Sequence, residues 1–388
     1  MKIFIAGFSY VRQNYFDVFN FYPQKGDELF FLLPKVWKVK NGKVIFHSPK
    51  DKRIIPANAY FHHSNYPIIG GLLKGWMPLF PVVALKLKIT HGLDLVYSCS
   101  EPILLTTLYQ ALWTKLFGIK HVIFTWENIV YKDKFRGFNG FIKNIIMKLN
   151  LFFCDGVICG NQKSAAIFNN LTNKPIATIP LSGVNGHFYT PRNIKVFKGE
   201  NFEGKLVYLF SGAMSYRKGI HIILEAFKAV LNNIPNGRLI LVGSGEYEES
   251  LKFKVKSLNL DQSVVFIPWV DRGELKELFA VSDIFLYPSI SYKGWEEQFG
   301  YSMAEASLME KPVISTKSGS INELVRDGIS GILITPDDTN ELRKAMLKLG
   351  QNKELREKMG REARRYILQN FSHEIVAAKF KEFFHSLK

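Results

Sequence analysis

The chain has 388 residues, beyond the length at which one core usually keeps growing, so two domains are expected. Hydrophobic residues make up 47% and charged residues 22%, with no long low-complexity tract, which excludes a disordered or fibrous chain and predicts a globular one. Lys and Arg outnumber Asp and Glu by 51 to 34; residues 1–190 hold 22 cations against 9 acids and the remainder 29 against 25, so an anionic partner would meet the first half.

In chain order, residues 1–10 form a buried-strand pattern, too short in apolar length and without the small-residue cleavage pattern of a secretory signal. The three cysteines, Cys99, Cys154 and Cys159, lack metal-ligand clustering, and the last two lie in an apolar run. Free buried thiols, and a cytoplasmic location, are expected. Residues 21–60 mix Lys with aromatics and give no assignment beyond strands and loops. The most hydrophobic window, 66–85, is interrupted by Pro67, Gly70, Gly71, Lys74, Gly75, Pro78 and Pro81, which argues against a spanning helix. Beyond it come a strand at 93–99, a helix at 103–117, a strand at 121–126, a helix to about 153, and strands at 155–159 and 176–179. Strands alternating with helices predict a parallel sheet covered on both faces, whose ligands bind outside the carboxyl ends of the strands. The loop Glu127, Asn128, Ile129 therefore points toward a site, the alternative being a polar loop with no chemistry.

Residues 191–204 break the pattern with Pro, Gly and charges and are expected to link two domains. The plan then repeats, with strands at 206–210, 238–242, 264–267 and 284–287 and helices between them. Residues 294–331 follow, with Glu297 and Glu305 set around a Phe-Gly turn that opens a helix. At the helical rise these two carboxylates lie on the order of 10 Å apart. That distance suits gripping two ends of one elongated ligand. Between them, the free N–H groups at the helix start favour an anion. Hydroxyls at both ends and phosphate in the middle describe a nucleotide-sugar.

This Glu-x7-Glu spacing, with KPVIST at 311–316 and Gly319, Glu323, Asp327, Gly328 and Gly331 after it, resembles the retaining glycosyltransferases of the GT-B fold, family 4 or "glycosyl transferases group 1". SGAMSYRKGI at 211–220 resembles that family's phosphate-clamp turn: Lys218 and Gly219 match, Ala213 stands where an Arg is usual, and Arg217 adds a second cation. The segments 241–246 (LVGSGE) and 267–289 resemble the strands beneath the donor, the latter bringing Pro268, Trp269 and Val270 to the base; Trp269 equally suits a core position. IPLSGVNGHFYTP at 179–191 resembles the family's hinge, with Asn185 for the usual Asp. Glu310 replaces a helix-ending Gly and Ser320 the second Gly of a pair, departures that bear on local backbone. The motifs cover about 155–370; the first half matches in pattern alone, ending its first strand in AGFSYVRQN.

The resemblance implies an α/β protein of GT-B architecture, with two doubly wound Rossmann-like domains facing a central cleft. An acceptor domain would span 1–190, a donor domain 205–370, and a final helix, 371–388, would cross back to the first domain. It also implies transfer of a sugar from a UDP- or GDP-sugar to a glycan or lipid-linked acceptor. Glu297 would hold the sugar hydroxyls and Glu305 the ribose, with Lys218 and Arg217 on the diphosphate. Gly212, Gly243, Trp269, Val270, Phe299, Gly300, Tyr301 and Ser302 would complete the donor site, and Glu127 would act with Lys218 and Glu297 at the reacting centre. No Asp-x-Asp occurs, so a metal-independent reaction without a cofactor is expected. Two other classes remain: a nucleotide-sugar epimerase of the same fold, and a basic nucleic-acid binder, for which no recognised motif is found.

Residues 132–153 (KDKFRGFNGFIKNIIMKLNLFF) form a basic amphipathic pattern, gathering Phe138, Phe141, Ile142, Ile145, Ile146 and Leu149 on one side. An anionic membrane surface is the expected partner, aided by Trp76 in the run 71–80 and by Lys132, Lys134, Arg136 and Lys143. The alternative is an apolar face packed on the sheet.

Overall fold

The computed structural model describes residues 1–38, 44–46, 51–62, 69–134 and 137–388; Pro67, Arg136 and the side chain of Lys132, all used above, lie outside the described residues. The chain divides into two compact units, Met1–Gly183 with His373–Lys388, and Val184–Ser372.

In the first unit the strands are β1 (Lys2–Ala6), β2 (Glu28–Pro34), a small antiparallel pair β3 (Val36–Lys38) and β4 (Val44–Phe46), β5 (Ile54–Ala57), β6 (Leu95–Ser98), β7 (Lys120–Thr125), β8 (Gly156–Cys159) and β9 (Ile176–Thr178). Its helices are α1 (Gln13–Phe16), α2 (Ile69–Leu72), α3 (Phe80–His91), α4 (Leu105–Leu116), α5 (Tyr131–Lys134), α6 (Gly137–Phe153), α7 (Gln162–Asn169) and, from the far end of the chain, α14 (His373–Ser386). Seven strands pair in parallel in the order β5-β2-β1-β6-β7-β8-β9. Alternate residues feed opposite faces, as a pleated strand requires. Ile3, Ile5, Leu95 and Tyr97 pack with Phe380 and Phe384 of α14, while Phe4, Ala6 and Val96 pack with Phe80 and Ala84 of α3. Farther along that second face, Ile123 and Val157 meet Met147 and Leu151 of α6.

Two elements here escaped the sequence reading. ELFFLLP forms β2, an interior strand between β5 and β1 whose apolar residues do not alternate because both faces are covered. The window 66–85 contains the start of α3, whose Pro81 is a helix-starting proline rather than an interruption. The run 71–80 turns Leu72, Met77 and Phe80 inward and sets Trp76 against Tyr60 and Tyr109.

The second unit opens with a short hairpin, β10 (Val196–Phe197) and β11 (Glu200–Asn201), inside the stretch expected to be a linker. Then come β12 (Leu206–Ser211), α8 (Ile220–Val230), β13 (Gly237–Val242), α9 (Glu248–Ser257), β14 (Val264–Ile267), α10 (Arg272–Val281), β15 (Ile284–Tyr287), α11 (Tyr301–Leu308), β16 (Val313–Thr316), β17 (Gly331–Ile334), α12 (Thr339–Gln351) and α13 (Lys353–Phe371). Six strands pair in parallel in the order β14-β13-β12-β15-β16-β17. All six residues of β12 are buried, and α8 covers the sheet with Ile222, Ile223, Leu224 and Phe227. The three cysteines are free and buried. Among the described residues no helix is long and apolar enough to cross a membrane.

Candidate active site

Each sheet has a point where successive strands are laid down in opposite directions, leaving a crevice between the loops at their carboxyl ends. In the second unit it lies between β12 and β15. The chain leaves β12 through Ser211 and Gly212, makes a turn of 3-10 helix over Tyr216–Lys218, and enters α8 at Gly219. It leaves β15 through Pro288 and Ser289 and reaches α11 at Gly300, whose φ of +85° forms the helix entrance.

These two loops bring together Lys218 and Glu297, which lie far apart in sequence. The Lys218 Nζ sits 2.5 Å from Glu297 Oε2, and both side chains are almost wholly buried. Ser289 Oγ donates to the same carboxylate oxygen at 3.1 Å, and Lys218 also contacts the Tyr287 hydroxyl. Burial pushes the Glu297 carboxyl up, but Lys218, Arg217 and Ser289 outweigh it and hold the group below its ordinary range. Burial lowers Lys218 from its ordinary value, partly offset by Glu297. Burial likewise raises the Tyr287 phenol, and neighbouring Glu297 raises it further. The pair is thus an ionised carboxylate against a buried ammonium.

Local backbone fixes this geometry. A Cβ on Gly319, whose φ is +58°, would fall 2.1 Å from the Glu297 carbonyl, and the Ser320 N–H donates to that carbonyl at 2.9 Å. Gly243, at φ +130°, passes so close to Gly212 that a Cβ would lie 2.0 Å from its carbonyl oxygen. Trp269 lies against Gly243 and is 50% exposed, so of its two expected placements the structure gives the surface one; Val270 beside it is half-buried.

The remaining expected residues divide. Arg217 stacks its guanidinium 3.5 Å from the Trp295 ring centre, and its Nη1 is buried without a hydrogen-bond partner among the described residues. Phe299 is a core residue packed on Tyr301 and Phe371, so it offers backbone rather than side chain. Tyr301 and Ser302, the first residues of α11, are half-buried. Glu305 lies farther along α11 near Tyr189 and Arg272; burial pushes its carboxyl up to about 7, partly offset by those two neighbours. Sequence reasoning gave no role to Trp295, Tyr189 or Arg272. Trp295 stands two residues before Glu297, the spacing that returns side chains to one side of an extended segment.

Glu127 follows β7 in the first unit, almost wholly buried and 2.6 Å from the Lys134 ammonium. A second carboxylate, Glu101, follows β6 and accepts from Thr125 Oγ1 at 2.8 Å and the Trp126 N–H at 2.9 Å. Burial raises Glu101 to about 7, with nearby Glu127 adding to the effect. The rule that singled out Glu127, a polar residue just past the carboxyl end of a parallel strand, would also have found Glu101. Among the described residues there is no group of His, Cys, Asp and Glu able to hold a metal.

Residues 191–366 match the family described as Glycosyl transferases group 1. The chain is 25% identical over 217 residues to the N-acetyl-alpha-D-glucosaminyl L-malate synthase of Bacillus anthracis, covering 55% of each chain. It is 30% identical over 175 residues to the O-antigen chain mannosyltransferase C of Escherichia coli, covering 45% of this chain and 43% of that one. The chain spans about half the length of the curated relatives it matches. Two solved structures share the fold along the chain: Anabaena Alr3699/HepE in complex with UDP and glucose, at TM-score 0.73 and 19% identity over 100% of both chains, and the sucrose-phosphate synthase of Thermosynechococcus elongatus, at TM-score 0.72 and 18% identity over 100% of this chain and 99% of that one. Their fold is the GT-B type expected from the sequence, two Rossmann-like domains in one chain.

Proposed function

Because the chain carries a group 1 glycosyltransferase domain, we propose that it moves a sugar from a nucleoside-diphosphate-sugar to a hydroxyl of a glycan or lipid-linked acceptor, with retention at the anomeric carbon. The observation that carries this reading is the buried Lys218–Glu297 pair at the crevice between β12 and β15, beside the start of α11. A buried ammonium and the positive end of a helix dipole stabilise negative charge as it develops on a departing diphosphate. An ionised Glu297 accepts hydrogen bonds from the hydroxyls of the transferred sugar. Trp269, exposed against Gly243, offers a ring for the base, and Glu305 an acceptor for the ribose hydroxyls. Arg217 takes the clamp role left vacant at Ala213, its unpartnered Nη1 supplying a donor for phosphate.

In this mechanism the bond from the anomeric carbon to the diphosphate oxygen breaks, and its electron pair stays on that oxygen beside Lys218. The acceptor oxygen bonds to the same face of the carbon, and its proton passes to the departing phosphate oxygen. No side chain then has to act as the base. Glu127 and Glu101 of the first unit serve to hold acceptor hydroxyls. A UDP-linked donor is favoured over a GDP-linked one by the UDP bound in the structurally similar Alr3699/HepE complexes. Cell-surface polysaccharide or glycolipid synthesis fits such chemistry, as the relative involved in O-antigen chains illustrates.

A calorimetric titration of UDP-, GDP- and ADP-sugars tests the donor half of this proposal. One nucleotide series should bind the parent chain, and Lys218→Ala and Glu305→Ala should weaken that binding strongly. If both variants bound every donor as the parent does, the site assignment would be wrong.

A further inference from the structure

Ten of the twenty large hydrophobic side chains that stand exposed among the described residues belong to three helices of the first unit, α3, α4 and α6. On α6 the exposed positions are Phe138, Phe141, Ile145, Leu149 and Phe152, spaced three or four residues apart along one side of the helix. Phe138 is 79% and Phe152 is 73% exposed. The opposite side, with Met147 and Leu151, packs on the sheet, so the helix is apolar both inward and outward. The sequence pattern had put Ile146 on the outer stripe, but it is buried; Phe152 extends the stripe instead.

The neighbouring helices repeat the feature. Val82, Leu85 and Ile89 stand outward on α3, and Leu112 and Leu116 on α4. Because α3 packs against α4 and α4 against α6, the three outer faces lie side by side on one flank of the sheet. Single exposed apolar residues are ordinary, but a contiguous set of this kind marks an interaction surface. Its charge is one-sided. These three helices contain no Asp or Glu, whereas Lys86, Lys115 and Lys148 stand exposed among the apolar positions; Lys88 is half-buried and donates to the Leu93 carbonyl at 3.2 Å, and Lys143, expected to aid the contact, is half-buried near Glu127 and Lys134.

We infer that the α3–α4–α6 flank of the first unit docks on an anionic lipid bilayer, the aromatic and branched side chains entering the headgroup boundary while the lysines meet acidic headgroups. Long cationic stems reach past an apolar face to the interface, and such faces bind through buried apolar area together with attraction to anionic lipid. A protein partner would need acidic groups facing three exposed lysines around the apolar positions. A second copy of this chain, juxtaposing two sets of lysines, is disfavoured by the same charge. The inference deepens the reading of the acceptor as lipid-linked, and because the experiment below contains no donor, its outcome does not depend on that of the donor titration.

The full chain is mixed with phosphatidylcholine vesicles, with and without phosphatidylglycerol, and floated at low and high salt. Binding should require the anionic lipid and fall with salt. Phe138→Asp combined with Phe141→Asp should lower the partition on the order of 100-fold. Lys115→Glu combined with Lys148→Glu should lower it at least about 10-fold. Phe138, Phe141, Lys115 and Lys148 are all exposed, and an unchanged thermal transition would show that the fold is intact. Ile89→Asp with Leu116→Asp tests the other two helices without touching α6 and should also reduce flotation. The inference is overturned by absence of binding to anionic vesicles at low salt, or by binding that ignores all three double substitutions. It is equally overturned if the parent chain forms a lipid-free dimer in sedimentation that the phenylalanine substitutions abolish.

Discussion

Replacing Lys218 by Met separates the charge of the buried pair from its packing, because the unbranched side chain keeps most of the stem beside Tyr287 and Trp295 while removing the ammonium. Glu297 is then left with Ser289 and the more distant Arg217 against the full effect of burial. Breaking one side of a buried pair costs about 3–5 kcal/mol at neutral pH. The pH dependence gives the decisive sign. In the parent, the Glu297 pKa is lowered on folding, so its contribution is present above the ordinary carboxylate value and is lost as pH falls through the folded one. In Lys218→Met the folded value should rise, so the penalty vanishes below the ordinary carboxylate range and grows as pH climbs. The two proteins should therefore differ most near neutrality and converge in acid. Urea unfolding at several pH values, with hydrogen exchange in β12 and β15 reporting the second unit, measures this. A loss of stability that does not vary with pH, or no loss accompanied by parent-like donor binding, would refute the argument.

Glu305, raised by burial to about 7, should ionise as pH rises through neutrality. Its favourable effect on stability is complete below the ordinary carboxylate value and is lost as pH rises through about 7, so Glu305→Gln should flatten the stability profile there; donor affinity in the parent should rise over the same range. Gly319→Ala would force a Cβ against the Glu297 carbonyl at positive φ, and initial-rate measurements should show turnover falling roughly 100-fold as the carboxylate is displaced. Glu310 stands at φ +58°, a conformation that suits glycine, so Glu310→Gly should raise the urea midpoint by the equivalent of roughly 1 kcal/mol. Because the chain has no Asp-x-Asp, turnover should persist in excess chelator; complete loss restored by magnesium or manganese would contradict the account in which Lys218 and the start of α11 stabilise the diphosphate.

The parts of the site legible in the sequence were those whose chemistry depends on local spacing. Gly300 before Tyr301–Leu308 announces a helix start, and the two glutamates can be placed from it by counting rise per residue. Pairing was not legible in that way. Lys218 and Glu297 come from loops separated by three strands of the chain, and the sheet order β13-β12-β15 sets them side by side. The resemblance named both residues without saying that they touch; as a consequence Glu297 is an ionised partner of the cation before any donor arrives. The α6 pattern shows the opposite limit. Its periodicity was visible, but a stripe that packs on a sheet and a stripe that faces outward have the same helical period. Only burial separates them, placing Met147 and Leu151 inward and Phe138 and Phe152 outward, because α6 lies on the sheet with one side and no described helix covers the other. An exposed face of that composition persists in a stable domain because the unit's core closes without it: the second sheet face is already filled by Phe80, Ala84, Met147 and Leu151. The outer residues of α3, α4 and α6 can therefore vary with little effect on folding, and their apolar character is better explained by what meets the surface than by what holds the fold together.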